Sequence, residues 1–377
     1  NLYNEAFWKN IEPYVNTMKI RASWGQLGNQ NISPYGDLEL IPISADKLNW
    51  IFNYGSTKPV GYTSGPSLVN RNLTWETATT TNVGVDLSFL NNRLSATADW
   101  FERRTTDMVG PSQAMPGVLG ASVPKENNST LRTRGWEISL TWKHALDNGW
   151  AYNIGVSLYD YKSVVTKYFN PTGTLSTWYE GAEVGDIWGY TVNDLFRTKE
   201  ELDSYLSKVD LTHIAANWNT GDLKYEDTNN DGKVNNGTNT IDDHGDLSVI
   251  GNDQPHYQYT INGGISYKGF DFSMLWRGVG KKDMYFYRMS NIFWGFTNGW
   301  WESCLTPGHL DYFRDQPGTK YSGLYEGDAN INTDSYWPRP YLNSTEEAKN
   351  KNNANTRYLQ NAAYLRLQNV QLGYNFP

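Results

Sequence analysis

Hydrophobic and polar residues alternate with a period of two along several separate stretches of this chain. In GWEISLTWK, Trp136, Ile138, Leu140 and Trp142 share one face, while Glu137, Ser139, Thr141 and Lys143 share the other. The same alternation sets Leu94, Ala96, Ala98 and Trp100 on one side, and likewise Val83, Val85, Leu87 and Phe89. Tyr152, Ile154, Val156 and Leu158 form another such set. Tyr259, Ile261, Gly263 and Ile265 are followed by Phe270, Phe272, Met274 and Trp276. The pattern predicts eight strands, at roughly 17–27, 78–89, 93–107, 132–144, 149–164, 255–267, 269–282 and 361–375. Ten residues is long for an ordinary strand, where ~5–6 is usual. It suits a tilted membrane crossing of ~9–11.

The links between these strands alternate between long and short. Leu90–Asn92, Leu146–Gly149 and Lys268–Gly269 are tight, whereas 28–77, 108–131, 165–254 and 283–360 are long. If every link reverses the chain, all tight turns fall at one end and all long loops at the other. Transmembrane β-barrels have this asymmetry. Aromatic residues gather near strand ends (Trp100, Trp136, Trp142, Trp150, Tyr257, Tyr267, Trp276), as interfacial girdles require. One helix is predicted in the longest loop. Thr198 and Glu201 make a T-x-x-E capping box, and Leu202, Tyr205, Leu206 and Val209 recur at helical spacing.

Composition reinforces the all-β reading. Aromatics make up 15% of the 377 residues, with 16 Trp, 26 Tyr and 34 Gly, and aliphatic runs are few. Against 40 Asp+Glu stand 32 Lys+Arg, a net charge of −8 with no basic tract to track phosphates, which argues against nucleic acid as a partner. The one cysteine, Cys304, excludes an internal disulfide framework. No apolar run reaches the ~18 residues of a membrane helix. A mean hydropathy of −0.64 does not argue against a barrel, whose strands barely register on such scales. Both ends of the chain look cut from something longer.

Little points to an enzyme. The five histidines are scattered, without paired zinc spacing, and no G-x-S-x-G or phosphate-cradling loop is present. One stretch does resemble a metal loop. In DTNNDGKVNNGTNTIDDHGD, Asp227, Asn229 and Asp231 alternate before Gly232, as in an EF-hand, but Thr238 stands where the bidentate Glu belongs. With the Lys233 carbonyl these supply about four oxygens, short of the 6–8 calcium takes, so Asp242, Asp243 or Asp246 would have to fold back. The other reading is an Asn/Asp/Gly turn whose side chains bond their own backbone.

Five stretches resemble the carboxy-terminal half of SusC/RagA-type TonB-dependent outer-membrane transporters of the Bacteroidota. They are MKIRASWGQLGNQNISPY (Met18–Tyr35), Leu73–Val109, TRGWEISLTW (Thr133–Trp142), the region Gly221–Gly278, and YLRLQNVQLGYNFP (Tyr364–Pro377). The resemblance implies about eight strands of a large antiparallel transmembrane β-barrel of ~22 strands with a plugged lumen. Residues 1–377 would form one partial barrel with external loop regions at 165–254 and 283–360. The plug, the TonB-contacting segment and the other strands would lie elsewhere, since eight strands leave two unpaired edges in lipid. The implied function is TonB-dependent uptake of oligosaccharides or peptides across the bacterial outer membrane, with a SusD-like lipoprotein lid. The alternative is a soluble or surface-anchored, calcium-stabilised glycan-binding β protein.

On the transporter reading, external aromatics contact substrate, because a flat ring offers a platform to sugar C–H faces. Trp178, Tyr179, Trp294, Trp300, Trp301 and Trp337 are the candidates, with Tyr312 and Tyr336 beside them. Alternation places Asp99, Arg103, Glu137, Asp271 and Arg277 towards the lumen. The family often carries a D-x-N-G-D-G run at the Asp227 loop. Here Asn230 replaces the Gly and several residues are inserted. The candidate metal ligands are therefore Asp227, Asn229, Asp231, Lys233, Asp242 and Asp246.

Overall fold

In a computed structural model of the protein, the eight alternating stretches form one antiparallel sheet whose spatial order follows the sequence. The structure describes residues 14–30, 68–113, 123–287, 304–318, 326–341 and 344–376, with short pieces elsewhere. The strands are β1 (Val15–Asn29), β2 (Glu76–Phe89), β3 (Leu94–Gly110), β4 (Glu126–Ala145), β5 (Trp150–Lys167), β6 (His256–Tyr267), β7 (Phe270–Lys281) and β8 (Tyr364–Tyr374). Each pairs with the next. The sheet is open, with β1 and β8 each paired on one side only among the described residues.

Turn chemistry places the tight links. Lys268 and Gly269 both have positive φ, as a two-residue type I′ hairpin needs. Leu90, Asn91 and Asn92 are left-handed in succession, and Gly149 has φ +88°. One link is shorter than the alternation predicts. β3 and β4 continue as a hairpin to the Gly110–Glu126 pair, past a bulge between Thr105 and Met108 where Asp107 has φ +57°. The bulge shifts the register, so simple alternation stops there while the ladder does not.

The two faces of the sheet differ sharply. On one, Ile20, Trp24, Val83, Trp100, Ile138, Leu140, Ile154, Val156, Ile265, Phe272, Val370 and Leu372 are all exposed. The other is polar and laced with cross-strand bonds, such as Thr133 to Ser163 and Ser139 to Ser157, each 2.8 Å between hydroxyls. Asp99, Arg103, Glu137, Asp271 and Arg277 have the parity of this polar face. Several of its glycines stand directly opposite an Asn or Asp: Gly84 faces Asp99, Gly155 faces Asn262, Gly264 faces Asn153 and Gly373 faces Asp271. A Cβ at any of these glycines would collide with the facing carboxylate or amide. Removing the Cβ lets the polar side chain lie across the neighbouring strand.

The hydrophobic core lies outside this sheet. Phe196, Leu202, Leu211, Leu223, Tyr225, Val234, Tyr285, Trp294, Phe313, Trp337 and Tyr358 cluster in a body built from the 165–254 and 283–360 links. Short ladders brace it, Asp186–Tyr190 with Leu247–Asn252 and Val192–Leu195 with Leu223–Tyr225. Helix α1 (Lys199–Leu206) begins as the sequence predicts. The Thr198 side chain accepts from the Glu201 amide at 3.1 Å, and Leu202 is buried. The Glu201 carboxylate reaches one residue further back than a standard capping box, to the Arg197 amide, and also pairs with Lys224.

A second helix, α2 (Ser344–Lys351), pins the two loop regions together through buried charge. Lys349 lies with no exposed side chain against Asp222 at 2.8 Å, its ammonium 4.6 Å from the centre of the Tyr341 ring. Asp222 also accepts from Tyr341, Asn350 and the Asn219 amide. Buried Glu347 accepts the Tyr341 amide through Oε2, while Oε1 has no partner among the described residues. Burial pushes its carboxyl up to about 8, with Asp222 raising it further and Lys351 and Lys349 opposing.

Two outcomes follow for the full-length protein. Gly84→Val drives a branched side chain into Asp99 and costs about 1–3 kcal/mol in urea unfolding. Gly25→Ala, whose Cβ meets no described atom within 4 Å, is neutral or slightly stabilising. Equal costs would refute the pairing argument. The Glu347 carboxyl is protonated more readily when docked than when free. Docking of α2 is therefore strongest below about pH 4.5 and weakens as pH rises through about 8. Amide hydrogen exchange in α2, corrected for intrinsic rates, should show that loss of protection, and Glu347→Gln should flatten it.

Candidate functional site

Two regions could meet a ligand: the polar face of the sheet and the outer surface of the loop body. On the polar face, Arg21 of β1 clamps two carboxylates at once. Its Nε and Nη2 reach Asp86 of β2 at 2.9 and 3.0 Å, and its Nη1 and Nη2 reach Asp99 of β3 at 3.0 and 2.8 Å. Such forked, charge-assisted contacts fix all three side chains against one another. Sequence alternation finds Asp99 but not its partners, because pairing depends on register between strands far apart in sequence. Further round the face, the Tyr159 hydroxyl donates to Gln258 at 2.6 Å. Hydroxyls, amides and paired ions make this face hydrophilic throughout.

The loop body corrects part of the aromatic prediction. Trp294 is 0% exposed, and its indole donates to the Phe286 carbonyl at 2.6 Å. Trp337 is 7% exposed, stacks on Tyr358 at 5.6 Å and donates to the Gly308 carbonyl. Trp294 is enclosed by the loop core and presents no open face as a platform, and Trp337 is buried but for an edge. Trp300 and Trp301 lie outside the described residues. Tyr179 is half-buried, its hydroxyl accepting from the Trp188 indole at 3.1 Å. Burial raises the Tyr179 hydroxyl above its ordinary range. Trp178 keeps an open ring, at 42% exposure. Tyr336 is also exposed, while Arg314 covers the Tyr312 ring at 4.5 Å.

Sequence reasoning missed an apolar groove of about 420 Å³ on this body, lined by Phe286, Ile292, Phe293, Thr306, His309 and Trp337. Phe286 and Phe293 stack at 4.7 Å along one wall. His309 is locked, its Nδ1 accepting from the Thr306 amide and its Nε2 donating to the Phe293 carbonyl at 2.9 Å each. The aromatic density of YFYRMSNIFWGF was the available signal. Periodicity could not say which rings face in.

The Asp227 loop closes largely on its own backbone. Asp227 accepts the Asp231 and Gly232 amides, Asn229 accepts the Asp231 amide, and Asp231 accepts the Lys233 amide. Asp246, fully buried, accepts from Thr228 at 2.7 Å and from Asn235 at 2.9 Å. Asp243 accepts the Thr238 amide, and Asp242 points into solvent. Of the six predicted ligands, Asp227, Asn229 and Asp231 stand together in one turn, while Asp242 is exposed and Asp246 is buried among amide donors. Among the described residues, no three His, Cys, Asp or Glu side chains gather at metal-binding geometry.

No family model matches the chain. It is 26% identical over 385 residues to TonB-dependent receptor P26 of Formosa agariphila, covering 99% of this chain and 34% of that protein. TonB-dependent receptor SusC of Bacteroides thetaiotaomicron is 23% identical over 386 residues, covering 99% of this chain and 33% of its own length. The chain thus spans about a third of these relatives. Among solved structures, the RagAB peptide transporter superposes with a TM-score of 0.64 at 18% identity, covering 99% of this chain and 36% of its own. The chain is thus similar from end to end to about a third of TonB-dependent receptors, SusC among them, and its antiparallel sheet shares the fold of the RagAB transporter.

Proposed function

We propose that this chain forms wall and external mouth in an outer-membrane importer of oligosaccharides or peptides. A SusD-like lipoprotein lid sits above the loop body, and TonB energises a plug carried elsewhere in the protein. The observation that carries the reading is the apolar band on the outward face. It is bounded at the tight-turn end by the stacked Trp150–Tyr267 pair and at the loop end by the opposed Trp100 and Trp136. In β5, ten residues separate Trp150 from Asp160, the partner of Trp136. At ~3.4 Å per residue and a tilt of ~40° that is about 26 Å of height, close to the ~25 Å apolar belt of outer-membrane barrels.

A soluble glycan-binding sandwich would bury this face under a second sheet, and none covers it among the described residues. The mechanism this supports is passive for the wall. Outward side chains replace water with lipid, inward hydroxyls and ion pairs keep a wet path, and the loop body holds cargo at the mouth.

The test is uptake of labelled oligosaccharides and labelled peptides by cells carrying or lacking the full-length gene. Loss of uptake of one class supports import and names the cargo. Unchanged uptake of both would sink it. Within the loops, Trp178→Ala should weaken cargo binding about fivefold, the scale of one stacked ring, and leave folding intact. Trp337→Ala should instead destabilise the loop body by about 3–5 kcal/mol. For the Asp227 loop, the backbone bonds should suffice: replacing 2 mM calcium by chelator should move its melting temperature by about 1 °C at most. A shift of several degrees would mean that an ion shares those carboxylates.

A further inference from the structure

The outward face changes character abruptly beyond the Trp100–Trp136 pair. Two residues further towards the loops lie Glu102, Arg134 and Lys162 in one cross-strand row. Two residues further again, Arg104 stands directly opposite Arg132. By parity these side chains share the apolar band's face, just above its outer aromatic row. Within the lower row, Arg134 is paired with Glu102, and Lys162 is paired with Glu183.

Arg104 and Arg132 are different. Neither side chain has a hydrogen bond or ion pair with any described residue. Like charges directly opposite on one sheet face repel, and the nearest carboxylate of the wall described on this face, Glu102, is engaged by Arg134. Their neighbours on the row, Thr79 and Gln26, bond to each other at 3.1 Å and supply no charge. The row sits four residues above Trp100. That is about 13 Å along the strand, or about 10 Å of height at a ~40° tilt, which is headgroup depth.

We propose that Arg104 and Arg132, with Arg134 beside them, form a clamp for the phosphate of an outer-leaflet lipid headgroup. Guanidinium forks match phosphate oxygens, and two facing forks can share one anion and remove the repulsion between them. The acyl chains of the same lipid then run down past Trp100 and Trp136 along the apolar band. That continuity favours a lipid over a free phosphate. The inference rests on the membrane-spanning reading of the sheet and does not depend on the cargo.

The test uses the full-length transporter in phosphatidylcholine nanodiscs with and without lipid A. Wild type, the double variant R104Q/R132Q, and R103Q on the opposite face of the same strand are compared. Native mass spectrometry after mild delipidation should find lipid A retained on wild type and on R103Q. Occupancy should be about tenfold lower on the double variant, given the pull of two arginines at an anionic surface. Equal retention by the double variant would overturn the clamp, as would an equal loss in R103Q. If inorganic phosphate in lipid A-free discs protects wild type against heat as well as lipid A does, the ligand is free phosphate and the lipid assignment falls. Failure of wild type to enter nanodiscs would overturn the membrane reading with it, a result distinct from variant indifference.

Discussion

A β-strand has only two faces and two backbone edges, and in this chain the described residues bury neither face of the main sheet. One face is a field of exposed Ile, Leu, Val and Trp, the other a field of hydroxyls, amides and ion pairs. In water such a sheet would collapse on its apolar side. In a bilayer the same arrangement is stable, because lipid covers one face, water covers the other and every backbone group within the ladder is satisfied. The remaining features answer to that constraint. The apolar stretch of each strand follows the membrane thickness although the ladders run on beyond it, to 20 residues in β4, aromatic rows mark its limits, and the edges at β1 and β8 call for further strands.

The constraint also explains where the hydrophobic core went. A wall one sheet thick has no interior, so the buried clusters of this chain belong to the loop body. That body is held by packing and by buried polar networks. The Lys349–Asp222 pair alone would be weak evidence of stability, since desolvation offsets most of its attraction. What it adds is uniqueness: Asp222 accepts from four different donors, which few alternative dockings of α2 could satisfy together. Trp294 and Trp337 are part of this packing, whereas among the described tryptophan candidates Trp178 keeps an open face.

All eight strands of the wall were legible in the sequence, because alternation is a local property and each strand carries it alone. The same locality limited the reading at three kinds of place. At the Thr105–Met108 bulge one extra residue broke the period while the hairpin ran on to Gly110. In the loops, whether a tryptophan faces in or out is decided by partners distant in sequence. Trp294 meets Tyr358, and Trp337 meets both Tyr358 and Phe293. No periodicity encodes those meetings. The Asp227 loop is a third case. Its spacing is that of a calcium ligand set, but each of those acceptors sits within a few residues of a backbone amide, and Asx turns need the same spacing.

The division between wall and loop body has a consequence for how a mouth can be rigid above a fluid membrane. The body is attached through two links, β5 to β6 and β7 to β8, so four strand ends enter it side by side. Its two halves are then joined across more than a hundred residues of sequence by the Asp222–Lys349 cluster and by the isolated bridge from Tyr190 to Asn355. At its base, His256 at the start of β6 bonds Asp160 of β5 at 2.8 Å, tying the body's exit to its entry. A loop fixed at its feet, at its centre and across its halves cannot swing as separate flaps. On the importer reading proposed above, opening this mouth would move the described body as a whole, which favours a separate lid over a gate made from these loops.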